Sequence, residues 1–133
     1  MLRDWITASK QNMTATLGGS EPGVKEEKDH QVPVQDGSKI TVRTYHPEQT
    51  GGPLAVLYHG GGWCIGGLEN EELLCKRLCG RLGFVVANVD YRLAPEHKFP
   101  IPVTDSWDAT KWVRYQLPLP RSSIPPTLSP PKD

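Results

Sequence analysis

Between Tyr58 and Gly67 the chain reads YHGGGWCIGG, three consecutive glycines set between a histidine and a tryptophan. Ordering such a backbone is costly, because glycine loses more conformational freedom on folding than any other residue. Three kinds of geometry could require it. A tight turn needs one glycine at positive φ, whereas this segment carries Gly60, Gly61, Gly62, Gly66 and Gly67. A phosphate cradle needs Gly-x-Gly-x-x-Gly, or a glycine loop ending in Gly-Lys-Ser/Thr, at the start of a helix, and the spacing here fits neither well. The third is an oxyanion hole: bare N–H groups held where a carbonyl oxygen turns negative during acyl transfer. Side chains would only obstruct a substrate there, and one such donor is worth about 3 kcal/mol of barrier. The pattern favours the third.

An oxyanion requires a nucleophile to create it. The serines are Ser9, Ser20, Ser38, Ser106, Ser122, Ser123 and Ser129, and none lies in a Gly-x-Ser-x-Gly frame. Ser106, in DSWDA, reads as a polar capping or surface residue at the start of a helix. Cys64, Cys75 and Cys79 match no zinc-ligand spacing, and Cys75 and Cys79 read as small buried hydrophobes of a reducing compartment. No zinc site is expected from them.

The elements that must hold the loop are legible in the patterning. QVPVQDGSKITVRTYHP alternates apolar and polar residues around a QDGS turn, which predicts a β-hairpin with Ile40, Val42 and Thr44 on one face and Thr41, Arg43 and Tyr45 on the other. LAVLYH is almost wholly apolar, as in a strand covered on both faces. After the glycine loop, Glu69 to Leu82 places Leu74, Cys75, Leu78, Cys79 and Leu82 on a helical stripe ended by Gly83. FVVANVDY is a second buried strand, so strand, helix and strand make a right-handed βαβ unit and the fold class is α/β. RLAPEHKFPIP has three prolines and must be irregular, and a helix follows from about Val103 to Gln116 with Ala109, Trp112 and Val113 inward.

Residues 1–30 read as an N-terminal arm or partial lid, residues 31–116 as the folded part, and residues 117–133, with six prolines, as a disordered or polyproline-like tail. The 133 residues suffice for one domain. Fifteen basic and fifteen acidic side chains cancel, which removes the electrostatic footprint of a nucleic-acid binder. No apolar run reaches the roughly 20 residues of a membrane span and no secretory core is seen, so a soluble, cytoplasmic location is expected.

HGGGW at 59–63, DYRLAPEHKFP at 90–100 and DSWDATKWV at 105–113, in this order and separation, resemble the hormone-sensitive-lipase type of α/β-hydrolase, the group that includes arylacetamide deacetylases and bacterial carboxylesterases. The resemblance runs from about Val32 to Val113 and implies a carboxylic ester hydrolase, acting on small ester substrates without metal or cofactor. It implies that Gly61 and Gly62 supply oxyanion-hole N–H groups, that His59 and Gly60 support the loop, and that Trp63 packs beside or lines the pocket. For the DYRLAPEH segment, both the residues and the resemblance imply a structural role, with Arg92 and Glu96 in an internal polar network. His97 does not match the family's base, which lies further along.

The family's nucleophile, acid and base would follow the point where this sequence turns to RYQLPLPRSS. The expectation is therefore a partial α/β-hydrolase fold, truncated before the nucleophile strand, with no catalytic serine, acid or histidine of its own and no activity alone. LAVLYH should then leave one apolar sheet edge uncovered, open to self-association or aggregation. A degenerate hydrolase fold that binds a ligand or partner without catalysis is the alternative.

Overall fold

The computed structural model describes residue 4 and residues 20–117. Residues 1–3 and 5–19 of the expected arm, and residues 118–133 of the expected tail, lie outside the described residues. The first strand, β1, runs Val24–Pro33 and pairs antiparallel with β2, Lys39–Pro47. β1 thus begins seven residues before the expected hairpin. Its sequence, VKEEKDHQVP, buries only Val32 fully, so it carried no apolar periodicity from which a strand could be read.

β3, Leu54–Tyr58, enters the glycine loop, which leads to a 3-10 turn at Leu68–Asn70 and to helix α1, Glu72–Leu82. The helix begins three residues later than its apolar stripe predicted. Asn70 forms the preceding turn instead, its N–H bonding the Gly67 carbonyl at 3.2 Å and its Oδ1 accepting from the Gly67 N–H at 3.1 Å. Gly83 ends α1 in the left-handed region at φ 72°, with its N–H on the Cys79 carbonyl at 3.0 Å. β4, Val85–Asp90, then returns parallel to β3, and the irregular proline segment leads to α2, Ile101–Tyr115.

The strand order is β1-β2-β4-β3, with β2 and β4 antiparallel. β4 is buried from Val85 to Val89 because the sheet is covered on both faces. On one face Val32, Ile40, Val42, Ala87 and Val89 meet Ala109, Val113 and Leu117 at the α2 side. On the other, Tyr45 and Val86 meet Cys75 and Cys79 of α1. Tyr45 is therefore as buried as Val42, although it stands on the opposite face of β2. Leu74 and Leu82 do not join the expected stripe: they are 47% and 64% exposed, while Cys75 and Cys79 take the inward positions. Burial pushes the Cys75 thiol up to about 12 and that of Cys79 to about 11, which keeps both protonated and inert at neutral pH.

The fold thus sets the glycine loop at the C-terminal end of β3, where β4 also ends and the proline segment begins. Among the described residues no helix is long and apolar enough to cross a membrane.

Candidate functional site

The loop departs from the sheet as soon as β3 ends. His59 turns inward and is almost fully buried, whereas Gly60, Gly61, Gly62 and Trp63 are exposed. The histidine is fixed from several sides. Its Nδ1–H donates to the Gly60 carbonyl at 2.9 Å, its ring stacks on Tyr91 with centroids 4.2 Å apart and planes within 8°, and its own carbonyl accepts the Tyr91 hydroxyl at 2.5 Å. Nε2 has no hydrogen-bond partner among the described residues. A ring held in this way is fixed between the loop and Tyr91.

The glycines differ in why they must be glycine. Gly61 has φ 126°, and a Cβ there would lie 1.9 Å from the Ile65 carbonyl oxygen. Its own carbonyl accepts from the Cys64 and Ile65 N–H groups at 3.2 Å each, which closes the loop on itself. Gly66 has φ 124°, and a Cβ there would meet His59 Nδ1 at 2.0 Å. Gly62 stands in open space at φ 60°, followed by Trp63 at φ 62°, an uncommon conformation for a bulky residue. Gly60 has neither a positive φ nor any atom within 4 Å of where a Cβ would stand.

A clamp from the proline segment holds the loop from below. The Trp63 carbonyl accepts the Ala94 N–H at 2.8 Å. Arg92, next to Tyr91, is gripped bidentately by Asp105 of α2, Nε to Oδ2 and Nη2 to Oδ1 at 2.8 Å each, while Nη1 reaches Asp36 of the β1–β2 turn at 2.8 Å. Asp105 is 1% exposed, so the fork joins the proline segment to the helix inside the protein, while the arm to Asp36 of the hairpin lies at the surface. Asp36 and Asp105 are the carboxylates that hold Arg92, which is thereby part of a polar network as the sequence had suggested. The Arg92 guanidinium and the Ser38 N–H hold the Asp36 carboxyl down at about 2. Burial raises the carboxyl of Asp90, at the end of β4, above its ordinary value.

These parts enclose a cleft of about 240 Å³, lined by Tyr58, His59, Gly60, Gly61, Gly62, Trp63, Tyr91 and Ser106. The sequence-predicted loop residues therefore lie together on one wall. Ser106, read from sequence as a capping or surface residue, stands in the cleft instead, its hydroxyl donating to the Pro102 carbonyl at 2.8 Å. The signal was available: Ser106 precedes Ala109 by three residues and Val113 by seven, on the inward face of α2. Tyr58 crosses the same opening, donating to the Ser106 carbonyl at 3.3 Å and bonding the Thr110 hydroxyl.

Residues 55–125 match the family described as alpha/beta hydrolase fold. The chain belongs to that family. Its curated relatives include a carboxylic ester hydrolase, LipN, of Mycobacterium tuberculosis, 39% identical over 113 residues, which are 82% of this chain and 30% of the relative. Rabbit (Oryctolagus cuniculus) arylacetamide deacetylase is 40% identical over 94 residues, 67% of this chain and 24% of that protein. Among solved structures, the thermostable carboxylesterase EstE1 from a metagenomic library superposes with TM-score 0.74 at 40% identity, over 85% of this chain and 37% of that one. This alpha/beta hydrolase chain thus spans about a quarter to a third of the length of the curated relatives it matches. The matched range contains the whole glycine loop, the Arg92–Asp105 fork and α2, and leaves out Asp36.

Proposed function

We propose that the glycine loop is the oxyanion-hole element of a carboxylic ester hydrolase, with the Gly61 and Gly62 N–H groups directed at the carbonyl oxygen of a small ester. Attack of a nucleophile on the ester carbonyl would place negative charge on that oxygen. Donors fixed beforehand stabilise the charge without reorganising, which is why a rigid loop serves better than a mobile one. His59, Gly60 and the Tyr91 hydroxyl hold the loop in place, and Trp63 flanks the substrate. The observation that carries this reading is the contrast between the two sides of the loop. Toward the protein it is packed so closely that Gly61 and Gly66 have no room for a Cβ, while toward the cleft Gly60 and Gly62 face nothing within 4 Å. At Gly60 neither φ nor local packing demands glycine, so free access for a ligand is the remaining reason for it.

The cleft, at about 240 Å³, is smaller than the roughly 300 Å³ at which ligand pockets usually begin, which suits an acyl-sized group in a partly built pocket. The nucleophile is not among this chain's serines. Among the described residues Ser106 is the serine that lines the cleft, and its proton is given to a helix carbonyl and not to a base. The 133-residue chain by itself is accordingly expected to leave p-nitrophenyl acetate and butyrate at the background rate of hydrolysis. It should take up no stoichiometric fluorophosphonate label. A serine adduct mapped by mass spectrometry, at Ser106 or elsewhere, would overturn the assignment.

A further inference from the structure

On the α2 side of the sheet two imidazoles converge on one buried hydroxyl. Strand alternation puts Thr44 and His46 on the same face of β2 as Ile40 and Val42, and His30 of β1 stands opposite Val42. Thr44 is fully buried, and its Oγ1 meets His30 Nε2 at 2.9 Å and His46 Nε2 at 3.2 Å. The hydroxyl proton points to the Lys28 carbonyl at 3.4 Å, so the oxygen accepts from both ring N–H groups. The His30 ring also packs against Trp112 of α2, with centroids 5.0 Å apart and planes at 52°. Two neutral rings thus tie β1, β2 and α2 together at one point.

We propose that His30, Thr44 and His46 form a proton-sensitive latch, closed on Trp112 while both rings are neutral and loosened when both are charged. With Nε2 already donating, an added proton enters at Nδ1 of each ring, and two like charges then face each other across a single oxygen in a half-buried site. The charged neighbours do little to offset this. β1 supplies Lys28, opposite Thr44, together with Glu26 and Asp29, whose carboxylates are exposed, and Asp29 is already held by Arg43 of β2. β2 itself has no acidic residue. On α2, Asp105 is engaged by Arg92 and Asp108 by Lys111, and Arg114 lies over Tyr115. Burial, Lys28 and the His46 ring hold the His30 imidazole below its ordinary value, and burial holds His46 below it too. The native state therefore takes up fewer protons than the unfolded chain as pH falls through about 6.5. The latch loses stability from there down to the lowered native values, and loses no more below them.

The test uses the full chain. Amide hydrogen exchange, corrected for the pH dependence of the intrinsic rate, should show protection in β1 and in the last turn of α2 falling about tenfold between about pH 7 and pH 5, while α1 keeps its own. His30→Gln with His46→Gln removes both charges and leaves His59 and His97 in place, and in that chain the β1 protection should be the same at both pH values. The unmodified chain decides the matter even if the double variant does not fold. Proton NMR supplies a second reading: the C2 proton of His30 should titrate below about pH 6.5, and its midpoint should rise in His46→Gln, which takes away the like charge. Protection in β1 that is indifferent to pH in the unmodified chain overturns the proposal, and so does a fall that β1 and α1 share. A His30 midpoint that His46→Gln leaves in place overturns it as well.

Discussion

The two edges of the sheet are finished differently. β1 presents Lys25, Glu26, Glu27, Lys28 and Asp29 in succession, the charged decoration that keeps an edge strand from pairing with another molecule. β3, at the other end of the strand order, is Leu-Ala-Val-Leu-Tyr, half-buried for most of its length and without a charge. β1 is made as an outer strand, and β3 has the composition of an inner one. The same contrast recurs in two arginine forks of similar geometry. Near β1, Arg43 holds Asp29 at 2.7 and 3.0 Å with the carboxylate 47% exposed, whereas below the β3 loop Arg92 holds Asp105 at 2.8 Å twice with the carboxylate 1% exposed. Water competes for the first pair and is excluded from the second. The molecule is therefore tolerant at its β1 edge and demanding around β3, where the candidate site sits.

That difference can be broken in pairs of variants. The largest effect is expected from the forks. Asp105→Ala leaves a buried guanidinium without its main partner and should cost about 3–5 kcal/mol in urea unfolding, while Asp29→Ala should cost less than about 1 kcal/mol. Equal losses would erase the contrast. Next come the glycines at positive φ. Gly61→Ala combines backbone strain with a collision against the Ile65 carbonyl and should lose about 3 kcal/mol, whereas Gly37→Ala in the β1–β2 turn, where φ is 84° with nothing within 4 Å, should lose about 1 kcal/mol.

Smaller still is the edge effect. We expect Ala55→Lys on β3 to raise about tenfold the concentration at which the chain self-associates in sedimentation, a shift of roughly 1.4 kcal/mol, and Lys25→Glu on β1 to leave it unchanged. The smallest effect is pH-dependent. Asp36 has its carboxyl lowered by Arg92 to about 2, so its contribution is present above the unfolded value near 3.9 and is lost as pH falls toward 2. Asp36→Asn should therefore lower the melting temperature at pH 6, and the gap to the unmodified chain should close between about pH 4 and pH 2. A gap that persists at pH 2 would remove the ion pair as its cause.

The run from Leu54 to Asp90 was legible because each of its signals is local: an apolar strand, a glycine loop, a helix stopped by Gly83, and a second apolar strand. The family was legible for the same reason, since HGGGW and DYRLAPEH are contiguous. What was missed depends on contacts distant in sequence. The start of β1 at Val24 is set by pairing with Pro47 and not by its own charged residues. The partners of Arg92 come from Asp36 and Asp105, on two other elements, and no spacing within DYRLAPEH announces them. Leu74 and Leu82 were misplaced because helical periodicity alone cannot say how wide a stripe the sheet will cover. The spacing of Ser106 from Ala109 and Val113 placed it on the inward face of α2, but that Tyr58 meets it there is a contact 48 residues apart in sequence.

The central claim is that the loop is a working oxyanion element whose nucleophile must be supplied by other residues. The most direct measurement is kcat for p-nitrophenyl butyrate in a chimera that carries residues 20–117 in place of the matching part of the thermostable carboxylesterase, with and without Gly61→Ala. The host's thermostability should absorb the folding cost of the substitution. The prediction is turnover by the chimera and a loss of at least about 100-fold on Gly61→Ala, with the fold unchanged by circular dichroism. A folded chimera without turnover, or one whose rate is indifferent to Gly61→Ala, would contradict the claim.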